Sequence, residues 1–510
     1  MHGVLYDQLD SLTPADKWTD GRNMYFYAGE SRRVPGERKF PGTTRVCDAD
    51  VIEYVDNGAQ AWWVYACARS GGDMGIGATN GTDHYEITPV GWVAIATKGL
   101  ILTIGNINNI VFVNHPELGP FYWDGNTASD CVKLPGWPAA WTCRVMRAHK
   151  EFLMAIAVDT EVGLAEGQVS WSASADPYTV PQEWVPTAIN DAGDATFSSP
   201  GGPLVDGLSV RDQFFVAKGD YTGALQYIGG SLVFQKRDIF PSMGVLSPGA
   251  WCENGNMVFQ VTGELEIVRH DGTSYENLLY GVAQVYFRNA LNSEYSGNVM
   301  VVPDNARGQI IVCYPTGTAW QCTEAINIEA LTGDACIRDL PGVTDYGFGL
   351  TEVQENDWDS DPEAWEDDTT TWNQGASGYQ PKSIVFAGGQ HGGYEVAGGN
   401  DTWVDGVQTP INAWLGRQGM DFDVDHRKTV SGLVPQVVAN SGTVITFSVT
   451  GQEIEGGSVD GTGDMPFTVG VDRQLDFFVD ARLVGIQLST IGGPEWGMGA
   501  MRPFVRKAGR

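Results

Sequence analysis

Apolar stretches of strand length, each closed by glycine, proline or a tight-turn pair, follow one another along most of this chain. They fall at residues 91–96, 110–114, 151–158, 213–218, 256–261, 309–314 and 382–387. Their β-branched and aromatic content and their short length predict strands. Several are followed by a second run that ends in a hairpin signal: Phe121-Tyr122-Trp123-Asp124-Gly125, Gln226-Tyr227-Ile228-Gly229-Gly230 and Ile267-Val268-Arg269-His270-Asp271-Gly272. Asp-Gly and Gly-Gly tolerate the positive φ that two-residue hairpins require. No segment of 12 or more residues repeats apolar positions at i, i+3, i+4 and i+7 free of Gly or Pro, so no long helix is predicted.

The first strongly apolar strand of each group starts near residues 101, 152, 214, 257, 309 and 383. Blades with signature motifs recur every 40 to 50 residues or so, and longer intervals hold loop insertions. The pattern therefore predicts an all-β fold, a degenerate β-propeller of about six blades over residues 91–400. One or two β-sandwiches are the competing architecture. The flanks differ from this middle. Residues 1–90 form an N-terminal β segment, and residues 401–510 alternate apolar and polar at 443–449, 474–479 and 482–489. Such alternation predicts an additional antiparallel β-domain with one wet face, built from the terminal segments.

Composition agrees with many short strands and turns: the 510 residues include 65 Gly, 25 Pro, 17 Trp, 18 Tyr and 20 Phe. Charge adds a new fact. With 31 basic and 63 acidic residues the net charge is −32, which repels phosphate backbones and disfavours DNA binding by counterion release. No stretch of about 18 apolar residues predicts a membrane span, and Met1 to Leu12, carrying Asp7 and Asp10, does not read as a secretory leader. Cys47, Cys67, Cys131, Cys143, Cys252, Cys313, Cys322 and Cys336 are scattered without a CxxC pair. They read as reduced, mostly buried thiols, with no cofactor implied.

Between Gln168 and Phe259 come Val169-Ser170-Trp171-Ser172, Asp176-Pro177, Trp184, Ala192-Gly193 and Gly201-Gly202-Pro203-Leu204. The strand pattern from Leu208 to Ala217, Leu225-Gln226-Tyr227-Ile228-Gly229-Gly230, a step to Phe240 and Met257-Val258-Phe259 follow. In that order these elements resemble the β-propeller of the tail nozzle proteins of short-tailed bacteriophages, also called tubular tail proteins or tail accessory factors. The opening Trp18-Thr19-Asp20-Gly21-Arg22-Asn23, with Arg32-Arg33-Val34-Pro35-Gly36, and the closing stretch from Asp480 to Ile486 are similar to the same family's ends. The resemblance implies a non-enzymatic virion tail protein, assembled in the host cytoplasm. It would form a hexameric ring that continues the DNA channel below the portal and adaptor. Tail spikes or fibres would seat on its outside, and DNA would pass without specific binding.

The most unusual local motif is a tryptophan every seventh residue, at Trp358, Trp365 and Trp372. Pro362, the threonines and the crowded carboxylates oppose a helix, so the motif reads as extended pieces whose rings pack at an interface. Asp357, Asp359, Asp361 and Asp368 match ligand positions of a calcium loop. However, Pro362 stands where that loop needs glycine, which leaves a weak cation site. Ser174-Ala175-Asp176-Pro177 with Trp184 partly resembles the Asp-box of sialidase-type propellers, a turn brace without catalytic duty. No glycosidase carboxylate pair can be picked from spacing among 63 acidic residues, and His149 and His270 have no nucleophile partner. The alternatives to the nozzle reading are a carbohydrate-active propeller, hydrolase or lectin, and a receptor-binding tail protein.

Overall fold

A computed structural model describes residues 4, 17–40, 51–56, 60–68, 74–81, 83–95, 101–198, 201–230, 232–351, 382–388, 392–404, 406–422, 426–455 and 457–507. The protein is all-β, with the small four-stranded sheets of a β-propeller and an additional antiparallel β-domain. Among the described residues there are six separate four-stranded sheets, and a seventh set of four strands belongs to a nine-stranded sheet. The chain divides into two compact units.

One unit comprises residues 39–195 and 344–396. Its first sheet runs Ile52–Asp56, Ala61–Ala68, Met74–Thr79, His84–Glu86, and the second runs Thr103–Ile107, Ile110–His115, Gly119–Trp123, Val132–Lys133. The third runs Thr142–His149, Phe152–Thr160, Gly163–Trp171, Gly193–Thr196. A further sheet orders Asp345–Gly349, Ser383–Ala387, Gly393–Gly399 and, from near the chain start, Gly36–Lys39. The described pairings within the sets are antiparallel, and neighbouring sets pack through their first strands: Asp345–Gly349 on Ile52–Asp56, that on Thr103–Ile107, and that on Thr142–His149.

The predicted runs at 110–114, 151–158 and 382–387 are the second strands of their sets. They are the most continuously buried, because a second strand has neighbours on both edges and packed sheets on both faces. The run at 91–96 is different: residues 91–95 hold no strand. Val90 and Gly91 form a turn closed by Trp92 N–H donating to Pro89 O at 3.2 Å. The sheet starting at Ile52 lies inside the flank 1–90. Its second strand, Ala61–Ala68, is as apolar as the others, so this flank carries a set that the six sequence-spaced runs do not include. At Gly136, φ is +63° and a Cβ would sit 1.9 Å from the Gln182 carbonyl oxygen, so only glycine fits.

The other unit comprises residues 1–38, 196–343 and 397–510. Asp206–Val210, Gln213–Ala217, Thr222–Tyr227 and Phe234–Phe240 form one sheet; Trp251–Asn254, Met257–Val261, Ile267–His270 and Tyr275–Asn277 form the next. Asp-Gly and Gly-Gly turns stand where the sequence places them, with φ of +89°, +67°, +73° and +87° at Gly125, Gly229, Gly230 and Gly272. The α-helix Gly281–Ala290 is shorter than the periodicity window. The set Met300–Asp304, Gln309–Pro315, Cys322–Glu329, Ala335–Val343 then continues as the nine-stranded sheet. Asp20–Arg22 pairs parallel to Ala335–Val343 and antiparallel to Asn412–Met420, followed by Leu483–Ile491, Val444–Gln452 and Asp460–Thr468. A five-stranded sheet of Met24–Tyr27, Glu30–Arg33, Trp496–Lys507, Lys428–Ala439 and Leu475–Ala481 shares its core with that sheet through Leu433, Phe447, Ile486, Leu488 and Trp496. Full burial of each such side chain stabilises by about 1.5–3 kcal/mol. The chain's two ends therefore build one domain together.

Candidate functional site

Trp358, Trp365 and Trp372, and with them Asp357, Asp359, Asp361 and Asp368, lie outside the described residues. The Asp-box-like stretch is described. Trp184 is buried against Trp137, ring centres 4.6 Å apart. Ser174 Oγ donates to Asp191 Oδ2 at 2.7 Å, and Asn108 Nδ2 reaches the carbonyl oxygens of Ala175, Asp176 and Thr179 at 3.2 to 3.4 Å. The turn is braced, but by Asn108 and Asp191. His270 is buried between Phe215 and Phe240, its Nε2 3.1 Å from Gln260 Oε1. Burial pushes its pKa down to about 4, so the ring is a neutral part of the core. Cys131, Cys143, Cys252, Cys313, Cys322 and Cys336 are buried free thiols.

The innermost strands of the first unit bring together charges that sequence spacing hides. Glu53 lies on Ile52–Asp56, Asp345 opens Asp345–Gly349, and Arg147 is on Thr142–His149, while Lys382 directly precedes Ser383–Ala387. The Ile52 N–H donates to Asp345 Oδ2 at 3.0 Å across 293 residues of sequence. Burial is the main reason the Glu53 carboxyl is pushed up to about 8. The nearby Asp345 charge adds to this, and Arg147 and Lys382 pull against it. Burial also lifts Asp345, to about 6, against its backbone hydrogen bonds and Arg147. Both residues are half-buried, and the neighbouring Asp345 charge disfavours ionisation of Glu53, so the Glu53 carboxyl favours its protonated form to a higher pH than a free one. Chemically it can give or take one proton. Among the described residues no group of His, Cys, Asp or Glu is placed to hold a metal ion.

A second cluster, in the other unit, explains the opening motif. Arg22 Nε donates to Asp339 Oδ1 at 2.9 Å and its Nη2 to Glu324 Oε1 at 2.5 Å. Asn23 Nδ2 donates to Asp339 Oδ2 at 2.7 Å and the Asp339 N–H returns to Asn23 Oδ1, also at 2.7 Å. Tyr314 OH donates to Glu324 Oε2 at 3.1 Å. Deeper in, Arg338 and Glu37, with side chains 2% and 1% exposed, form an ion pair. Asp20-Gly21-Arg22-Asn23 is thus a clamp that seats a terminal strand between Ala335–Val343 and Asn412–Met420. A polar step in the sequence signals a turn, and nothing local names partners some 317 residues away.

No family model and no curated protein matches the chain. Among solved structures, the WD40 domain of coronin from Toxoplasma gondii is similar over 74% of this chain and 88% of its own, with 10% identity and a TM-score of 0.39. The extracellular domain of a putative one-component system from B. thetaiotaomicron is similar over 90% of this chain and 62% of its own, at 8% identity and a TM-score of 0.42. A puromycin-hydrolyzing peptidase of Mycobacterium tuberculosis is similar over 76% of this chain and 62% of its own, at 10% identity and a TM-score of 0.37.

Proposed function

We propose that this protein is a structural component of a tailed-phage virion, a ring-forming tail nozzle that continues the DNA channel below portal and adaptor and passes DNA at ejection. The observation that carries this reading is the domain made from both chain ends. Residues 20–22 are held between the propeller-type set ending in Ala335–Val343 and the C-terminal strand Asn412–Met420, at the motif that resembles the family's opening. A sheet that runs without a break from a blade into a second domain transmits load through backbone hydrogen bonds, as a part in a channel under pressure needs. The net charge of −32 fits a wall along which a duplex slides: at physiological salt the repulsion reaches about 8 Å. In this reading no residue does covalent chemistry, and interface shape and charge carry the function.

Mass photometry or cryo-EM class averages of the purified chain with portal and adaptor test it, with six copies on the channel axis as the expected result. A strictly monomeric protein in that mixture would refute the ring. One observation favours a second reading, a carbohydrate-active propeller: the Glu53 and Asp345 carboxyls, which at neutral pH include a proton donor. Turnover of a glycoside by the wild type, abolished by Glu53→Gln, would establish it in place of the first.

A further inference from the structure

Where Leu475–Ala481 and the ends of Lys428–Ala439 and Trp496–Lys507 run side by side, the five-stranded sheet buries one face in the core of the C-terminal domain and leaves the other in solvent. Strand register identifies the outer side chains. Thr429 stands opposite Asp480 on one neighbouring strand and opposite Arg506 on the other, and directly opposed residues point to the same face. Val430, the next residue, is buried opposite Val479. Alternation then places Asp476, Phe478 and Asp480 on the outer face of Leu475–Ala481, and Arg502, Phe504 and Arg506 on that of Trp496–Lys507. Gly432 agrees with this: a Cβ there would meet the Phe504 ring at 3.0 Å and the Asp476 carboxylate at 3.5 Å.

The face is divided by charge. Leu475–Ala481 is the sheet's edge, with no strand beyond it among the described residues, and Phe478 is 71% exposed on it. Its carboxylates have only exposed local partners: Gln474 Nε2 at 2.7 Å from Asp476, and Arg427 Nε at 3.5 Å from Asp480, which Arg427 shares with Glu453 at 3.2 Å. Exposed ion pairs of this kind contribute little and exchange readily. Two strands away, Arg502 and Arg506 are exposed and have no ion pair with a described residue. The two stripes are roughly 10 Å apart, twice the strand spacing.

We infer that this face is where one copy of the chain docks on the next, the acidic edge carrying Asp476, Phe478 and Asp480 lying against the basic stripe of Arg502, Phe504 and Arg506. The occupant is a second copy because the electrostatic complement of each stripe sits on the same molecule, with an aromatic ring at the centre of each to bury. A phosphate backbone is a poorer fit, since a carboxylate edge lies close beside the cations and the whole chain is strongly acidic. Because both stripes lie on one face of one sheet, two copies meet face to face about a two-fold axis, each acidic edge on the other copy's basic stripe; this contact is separate from the one that would close the proposed ring.

The test is a charge swap in the full-length chain. Asp476→Lys with Asp480→Lys makes one variant, and Arg502→Glu with Arg506→Glu makes the other. Each is sized by mass photometry and analytical ultracentrifugation at about 50 and 500 mM salt, with and without the portal and adaptor. All four positions are outer-face residues, and unchanged near-ultraviolet circular dichroism would show that each variant folds. The expected result is assembly of the wild type that weakens at high salt, loss of assembly in each variant alone, and recovery when the two are mixed, since every Lys then meets a Glu. Assembly of both variants alone at the wild-type concentration would overturn this interface and leave the ring reading standing. A wild type that stays monomeric would overturn both. Loss of adaptor binding by the variants of such a monomer would assign the face to a different protein partner.

Discussion

The buried pair of Arg338 and Glu37 allows the sharpest energetic prediction. Both side chains are almost wholly enclosed, at 2% and 1% exposure. Arg338 Nη2 donates to Glu37 Oε1 and, at 3.4 Å, to the Pro35 carbonyl oxygen, while Arg338 Nε has no hydrogen-bond partner among the described residues. Arg338→Met keeps most of the side-chain length and strands the carboxylate, and breaking a buried pair in this way costs about 3–5 kcal/mol. Removing both charges, as Arg338→Met with Glu37→Met, ends between neutrality and a gain of about 1–4 kcal/mol over the wild type. At about 2–4 °C per kcal/mol for a large domain, the single variant melts roughly 6–20 °C lower and the double variant at or above the wild type.

The deficit also has a pH signature. Burial already raises the Glu37 carboxyl above its ordinary 4.5, and loss of Arg338 raises it further. A raised carboxyl favours the folded state below pH 4.5, and that advantage is lost as pH rises toward the folded value. The single variant's deficit is therefore smallest near pH 4.5 and larger at pH 8. Differential scanning calorimetry across this range measures it. A double variant less stable than the single one, or a single-variant deficit independent of pH, would refute the reasoning.

Two further titrations follow from the same physics. Glu53, with a folded value of about 8 against 4.5, makes the wild type lose stability between pH 4.5 and 8; Glu53→Gln should flatten that slope, raising the melting temperature at pH 8 and leaving it nearly unchanged at pH 5. Parallel melting profiles for the two proteins would show that Glu53 is an ordinary solvated carboxylate. His270, lowered to about 4 from 6.5, is buried uncharged, so its contribution is intact above pH 6.5 and is lost as pH falls to 4, by up to about 3 kcal/mol. His270→Phe should lose less stability than the wild type over that interval in urea titrations, and an equal loss would show that the ring does not carry the acid sensitivity.

Local chemistry wrote much of this molecule into the sequence. Period-two alternation and glycine-bearing pairs act within a few residues, so 213–218, 256–261, 309–314 and the turns at Gly125 and Gly272 were legible, as were the alternating strands at 443–449, 474–479 and 482–489. The run at 91–96 misled because Val90, Gly91 and Trp92 are apolar enough for a strand while Pro89 and Gly91 make a turn. Membership of a sheet is another matter. Backbone hydrogen bonds carry no sequence label, so nothing in Asp20-Gly21-Arg22 states that it pairs with Ile337 on one side and Gly416 on the other, and nothing in Glu53 points to Asp345. The sequence by itself determined the strands, their turns and the acidic surface, because propensity and charge belong to single residues and their immediate neighbours. Only the tertiary structure decided which strands share a sheet, which carboxyls lie near one another and which charges face one side, because these are consequences of burial and long-range pairing.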